Sequence, residues 1–411
     1  MRDFFKHFQI GAWWYRTSSY DLSWQPMKAQ KELGFTFAQL PQHWHYDKTG
    51  YEEKTLDEMV AEAKEVDLPL LYWDRRFVAN KPSMKADFEK AKLRLKFAKE
   101  KYGDQIVGVF MDDEPFWGYQ NEHKSIDNCA KYKAMIDELA PEYFTFIALY
   151  GPPYWNYDKD VEVLNDYVDS VHPEFLLMNV YSPMLSEKNE QEQGDIFYFY
   201  SLNVFRDVAK AKGIPFWASL MCSSCWSFRE PTQVDLRWQM NIAAAHGATG
   251  FVWYHLQSFN ANANNRGMCP IDSYNVKTPM YYWMQFENKS FMDRIGKPLE
   301  NYELEEVYHY YQRFANFKSW HFSTDDIIED ISSQYNRPLV ISKFKAKDGS
   351  GKYKIMITNV SKTDNGHCTI KFRGEYSKYN VGDTSMYLIP GGALIIDLFD
   401  TPTDPAWYVL D

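Results

Sequence analysis

Ile106-Val107-Gly108-Val109-Phe110-Met111 runs without a polar residue straight into Asp112-Asp113-Glu114-Pro115. A short apolar run rich in β-branched and aromatic residues reads as a strand buried on both faces, the kind found in parallel sheets. Its abrupt end in three carboxylates places the polar chemistry at the strand's C-terminal end. Similar runs lie on either side: Phe8–Tyr15, Phe35–Leu40, Leu68–Trp73, Phe144–Tyr150, Phe175–Tyr181, Ile214–Met221 and Gly250–Tyr254. Between them stand stretches of helical periodicity at Pro26–Leu33, Thr55–Val66, Met84–Tyr102, Asn128–Leu139, Val161–Val168, Tyr200–Lys212 and Thr232–Ala245. A repeat of about 35 residues is what a strand, a crossover helix and two loops need. Eight such units, with no Gly-x-Gly-x-x-Gly after the first strand, predict a closed (β/α)8 TIM barrel rather than an open doubly wound sheet. Thr232 with Asp235 resembles a capping box for the last of these helices, and Gly247 is positioned to end it.

The barrel is expected over residues 1–325, with a helical region from Met280 to about Lys318. After that the texture changes. Leu339–Phe344, Lys352–Asn359, Thr369–Phe372 and Ala393–Leu398 alternate or run apolar between Gly-containing turns. Residues 326–411 therefore read as an antiparallel β-sandwich domain.

Composition narrows the function. The chain has 411 residues, 45% hydrophobic and 25% charged, as a globular protein requires. Its formal charge of -11 gives no basic footprint for phosphate backbones, so nucleic acid is not an expected partner. No run of about 18 apolar residues occurs, so no membrane partner is expected either. Cysteines number 5, an odd and scattered set; Cys222 and Cys225 form a CxxC without a second ligand pair. The first residues lack the apolar core of a signal peptide, which suggests a cytoplasmic chain, or a secreted or periplasmic one whose leader has been removed. Aromatic residues make up 18%, with 14 Trp and 30 Tyr, far above what a core alone needs. Flat rings with a polar handle suit the half-apolar faces of sugars.

These aromatics collect where a barrel holds its site, at the C-terminal ends of the strands. Trp13, Trp44, Trp73, Trp117 and Trp155 follow strands one to five, Asn179 and Tyr181 end the sixth, and Trp217 lies on the seventh. Trp253, His255 and Gln257 would share a face if the eighth strand keeps its period of two. A carbohydrate substrate is the expectation, and no cofactor or metal is called for. Asp112, Asp113 and Glu114 repel one another, which raises at least one carboxyl pKa. A glycosidase needs such a protonated acid for the leaving oxygen, and Glu114 is the candidate.

Glu114-Pro115 after the fourth strand resembles the Asn-Glu-Pro of clan A glycoside hydrolases, with Asp113 for the Asn. Ile214-Pro215-Phe216-Trp217, Pro231-Thr232, Leu236-Arg237-Trp238-Gln239 and Gly247-Ala248-Thr249-Gly250 are similar to barrel glycosidases related to the family 42 group. The likeness spans roughly 108–254 and implies glycosidic hydrolysis with Glu114 as acid/base. It departs at the seventh strand, Trp217-Ala218-Ser219-Leu220-Met221-Cys222, which lacks the clan's nucleophilic Glu. Asp74 and Glu230 are the other candidates for a second carboxylate. The pair Asp113-Glu114 also resembles that of families 20 and 123, and Asp112-x-Glu114 that of family 18. In those families the substrate's own 2-acetamido oxygen attacks while an Asp orients it, near a Tyr and a Trp floor for which Tyr181 and Trp253 stand. The sequence leaves a protein carboxylate and substrate assistance both open. Two alternatives remain: a non-catalytic carbohydrate-binding barrel, and a metal-dependent barrel hydrolase using His43, His45, Asp74 and His255.

Overall fold

The computed structural model describes residues 3–14, 25–41, 51–74, 76–77, 86–115, 122–183, 194–225, 227–258, 267–311, 325–379 and 386–398. It divides into two compact units, Met1–Pro231 with Thr249–Lys289, and Thr232–Ala248 with Ser290–Asp411.

The first unit holds eight parallel strands: β1 (Gln9–Ala12), β2 (Ala38–Gln39), β3 (Leu70–Trp73), β4 (Ile106–Asp113), β5 (Phe144–Tyr150), β6 (Leu176–Asn179), β7 (Phe216–Met221) and β8 (Gly250–Tyr254). They follow one another in the order β1-β8-β7-β6-β5-β4-β3-β2. Thr36 brings the two ends together, its N–H donating to Ile10 O at 2.8 Å and its Oγ1 accepting from Ile10 N at 2.9 Å. The barrel expected from the sequence is thus present and nearly closed. Between the strands run α1 (Pro26–Glu32), α2 (Tyr51–Glu65), α3 (Phe88–Tyr102), α4 (Glu122–Leu139), α5 (Tyr157–Val171), α6 (Asp195–Lys212) and α7 (Gln233–Ala245), and α8 (Pro279–Phe291) follows β8.

Side chains fill the barrel interior. Phe37, Phe144, Phe175 and Trp217 close its N-terminal end, with Phe4 and Phe5 packed beneath them. Trp13, Phe110 and Phe146 form the next layer, their ring centroids 5.2–5.5 Å apart. Gly250 is required here, because a Cβ on it would lie 2.6 Å from the Trp217 ring. It also sets the parity of β8: Gly250, Val252 and Tyr254 face inward, and Trp253 faces out.

The second unit carries two antiparallel sheets. β15 (Ala393–Asp397), β12 (Tyr353–Asn359), β11 (Leu339–Ala346) and β9 (Tyr302–Tyr310) form one; β10 (Ile328–Ser333), β13 (Gly366–Phe372) and β14 (Met386–Leu388) form the other. Ile341, Ile355 and Ile357 from the first share a core with Ile331, Ile370 and Phe372 from the second. Helix α7 belongs to this unit: Trp238 Nε1 donates to Val360 O at 2.8 Å, and Ser342 Oγ donates to Ala245 O at 2.6 Å. Its start is the capping box, with Thr232 N donating to Asp235 Oδ2 at 2.7 Å. Gly247, at φ 90, takes the left-handed turn that ends it.

The helical region expected from Met280 to about Lys318 is corrected. Helical turns continue from α8 only as far as Leu299, and Tyr302–Tyr310 is a strand paired along its length with β11. Its many aromatics and β-compatible residues favour a pleated surface, and sheet pairing outweighs the helical propensity of its glutamates.

Candidate active site

Two features at the end of β4 decide which carboxylates can act together. Pairing with β5 slips by one residue between Phe110 and Asp112. Below the slip Phe110 lies opposite Phe146, both inside the barrel; above it Asp113 lies opposite Ala148, which is also inside. A bulge of this kind re-aims side chains by changing parity. It turns Asp113 inward and leaves Asp112 on the helix side, where Asp112 is buried and its Oδ1 accepts from Asp113 N at 2.7 Å. Cys129 of α4 feels that placement: burial pushes its thiol up, and the charge of Asp112 adds to it.

Glu114 then leaves the sheet. Its N–H donates to Ala148 O at 2.9 Å, and its backbone sits at φ 54. A non-glycine residue there carries a conformational cost of about 1–3 kcal/mol, which the surrounding contacts must hold in place. Glu114 Oε1 accepts from Asn179 Nδ2 at 2.7 Å, and Asn179 Oδ1 accepts from Tyr181 OH at 2.6 Å. The amide orientation satisfies both bonds at once. Tyr181 and Tyr254 lie with ring centroids 5.7 Å apart. Burial pushes both phenols above their ordinary range, and the charges of Asp113 and Glu114 push further. Both therefore stay O–H donors at working pH. Tyr150, at the end of β5, is raised by burial and by Glu114 and is 40% exposed.

The structure thus brings Asp113, Glu114, Asn179 and Tyr181 into one group with Tyr254. The other candidates are held by other partners. Asp74 continues β3 on the outward side, fully buried, with Arg76 Nη1 at 2.6 Å, Arg94 Nε at 3.2 Å and Tyr72 OH at 3.2 Å. Glu230 is exposed beyond β7, its Oε2 accepting from Met268 N at 3.4 Å. Trp217 belongs to the N-terminal layer. Trp253 is wholly buried and donates through Nε1 to Asn288 Oδ1 of α8 at 3.1 Å. Trp13 and Trp73 are inside the barrel against Phe110, with centroids at 5.2 and 4.6 Å. Trp155 is exposed on the β5 side. Trp44, Trp117, His43 and His45 fall outside the described residues. Tyr254 is the member that the sequence did not single out. The signal was Gly250, whose close packing fixes the parity of the strand four residues before it.

Beyond β8 the chain folds into a buried polar turn. Gln257 Oε1 accepts from Trp14 Nε1 at 2.9 Å, and Gln257 Nε2 donates to Asn275 Oδ1 at 2.6 Å. His255 Nδ1 donates to Gln257 O at 2.9 Å, which assigns the proton to that nitrogen. Burial pushes the His255 pKa down to about 4 from 6.5, so the folded ring stays neutral where the unfolded one takes up a proton. Stability should therefore fall as pH drops from 6.5 towards 4, with a slope of at most about 1.4 kcal/mol per pH unit from this group. Urea unfolding of the wild type and His255→Asn across that window checks it; equal slopes would refute it. Among the described residues, no group of three or more His, Cys, Asp or Glu is arranged to hold a metal ion.

No protein-family profile and no curated protein sequence matches this chain. Solved structures do resemble it. A β-galactosidase from the Antarctic haloarchaeon Halorubrum lacusprofundi aligns with a TM-score of 0.54 at 11% identity, over 69% of this chain and 58% of its own. A β-galactosidase from Bacillus circulans sp. alkalophilus gives 0.54 at 12% identity, over 74% of this chain and 59% of its own. Eubacterium rectale Amy13B gives 0.54 at 8% identity, over 96% of each chain. The chain therefore spans about three fifths of the length of the two β-galactosidases, and the likeness is one of fold.

Proposed function

We propose that this chain is a glycoside hydrolase that cleaves sugars bearing a 2-acetamido group, with Glu114 as general acid/base and Asp113 as the residue that orients the acetamido group. The reading is carried by the register slip in β4, which turns Asp113 into the barrel beside Glu114 while Asp112 stays on the helix side. Two β-galactosidases of the same fold support glycosidic hydrolysis as the reaction class.

The steps follow from the residues. The Glu114 carboxyl gives its proton to the glycosidic oxygen as the bond to C1 breaks and the leaving sugar departs as an alcohol. The acetamido carbonyl oxygen forms a bond to C1 in the same step. Asp113 accepts the acetamido N–H and stabilises the positive charge of the cyclic oxazolinium. Tyr254, held as a neutral phenol by burial, is the nearby O–H group, while the Tyr181 O–H holds Asn179 Oδ1. Glu114, now a carboxylate held by Asn179, takes a proton from water as that water attacks C1, which reopens the ring with net retention. Substrate assistance also accounts for the other carboxylates. Asp74 is occupied by two guanidinium groups, and Glu230 is exposed on a backbone N–H.

A second reading, double displacement on 2-hydroxyl sugars with Glu230 as nucleophile, is favoured only by the β-galactosidase likeness. Thiazoline analogues of N-acetylglucosamine and N-acetylgalactosamine separate the two. They mimic the cyclic intermediate, and one of them should inhibit at least about 10²-fold more tightly than its parent sugar. Equal, weak inhibition by analogue and parent would reject substrate assistance.

A further inference from the structure

The loop after β5 holds one indole open to solvent. Trp13, Trp14, Trp217, Trp238 and Trp253 are each no more than 2% exposed, as packing residues should be, but Trp155 is 56% exposed. It is not loosely placed. Asp160 of α5, itself 1% exposed, accepts from Tyr154 N at 3.0 Å, from Asn156 N at 3.1 Å and from Tyr200 OH at 2.6 Å. The two backbone bonds flank Trp155, which takes the left-handed conformation at φ 50. Its inner side rests on Tyr200, stacked at 5.5 Å and 15°, and on Phe197 at 4.8 Å. A strained backbone, a buried carboxylate and two rings thus hold one flat apolar surface towards water.

The position of that surface gives it a meaning. It lies on the C-terminal side of β5, the neighbour of β4. Tyr150, which ends β5, is close enough to Glu114 for that charge to raise its phenol. An acid at Glu114 must reach the glycosidic oxygen, so the leaving group starts beside Glu114, and Tyr150 and Trp155 follow at the end of the next strand and on its loop. A pyranose presents an apolar C–H face that stacks on an indole. We infer that Trp155 is the stacking floor of a leaving-group subsite, positioned by Asp160, and that the substrate carries at least one more sugar on the leaving side of the cleaved bond. The inference rests on the hydrolase reading for which side of the bond Trp155 serves.

Calorimetric binding to the Glu114→Gln protein tests it, with tri- and tetrasaccharides of 2-acetamido and of 2-hydroxyl sugars as probes beside their monosaccharides. At least one oligosaccharide should bind about tenfold or more tightly than its monosaccharide. Trp155→Ala should abolish that advantage, and Trp155→Tyr should retain most of it. In the Glu114-intact enzyme, Asp160→Asn should raise KM for the oligosaccharide more than it lowers kcat, since Asp160 only positions the ring. The ratio of kcat/KM for the oligosaccharide to that for the glycosyl fluoride of the same sugar should fall about tenfold in Trp155→Ala. If no oligosaccharide outbinds its monosaccharide, or if the advantage survives Trp155→Ala, the subsite is refuted. Oligosaccharide hydrolysis indifferent to Trp155 would refute the subsite and leave the hydrolase reading standing. Trp155-dependent binding without any hydrolysis would refute the hydrolase reading, and the leaving-group assignment with it, and leave Trp155 a sugar-stacking residue.

Discussion

Glu114→Gln is expected to lower kcat/KM on substrates with poor leaving groups by about 10²–10⁴, the usual worth of a general acid. Glutamine keeps the side-chain length and can still meet Asn179, which sits 2.7 Å from Oε1, but it has no proton to give to the leaving oxygen. An aryl glycoside with an acidic phenol as leaving group needs little protonation, so its first step should lose much less. Its second step should slow instead, because water has lost its base. The signature is a burst of phenol followed by a slow steady state, read in a stopped-flow spectrometer. An alkyl or sugar leaving group that departs at the wild-type rate would remove Glu114 from the reaction.

Asp113→Asn carries the second large effect. The cyclic intermediate gains positive charge on the acetamido group, and Asp113 is the inward carboxylate beside Glu114 that can balance it. An amide keeps the shape and loses the charge, which should cost about 10²–10³ in kcat on a 2-acetamido substrate, the size seen for losing one transition-state electrostatic partner. KM should change far less, since the ground-state acetamido group is neutral. Asp112→Asn serves as the contrast. Its side chain lies on the α4 side, and an amide Oδ1 can still accept the Asp113 N–H, so kcat should hardly change.

The barrel was legible because parallel strands and crossover helices write two periods into a chain, and both are local. The end of β4 was legible as a candidate site for the same reason, three carboxylates closing an apolar run. Which of them faces inward was not. That depends on a one-residue slip against β5, a property of two strands together. The partners of Asp74 were hidden likewise, since Arg94 reaches it from α3, across 20 residues of sequence. Trp253 looked like a cleft residue because its neighbours alternate with it; Gly250, forced inward by Trp217, shows that the other parity holds. The strand Tyr302–Tyr310 was read as helix because its pairing partner, β11, lies 29 to 44 residues on. Asn179 and Tyr181 were found from the sequence as strand-end polar residues, but their relay to Glu114 is a three-dimensional fact.

The most direct test of the account is the turnover of a matched pair of aryl glycosides, identical except for a 2-acetamido or a 2-hydroxyl group, by the wild type and by Asp113→Asn. The account predicts that the wild type hydrolyses the 2-acetamido member of at least one pair far faster, and that Asp113→Asn removes most of that preference. Turnover of only the 2-hydroxyl members, insensitive to Asp113, would contradict substrate assistance and point to Glu230. Binding of the sugars with no turnover of either member would contradict the enzyme itself and leave a carbohydrate-binding barrel.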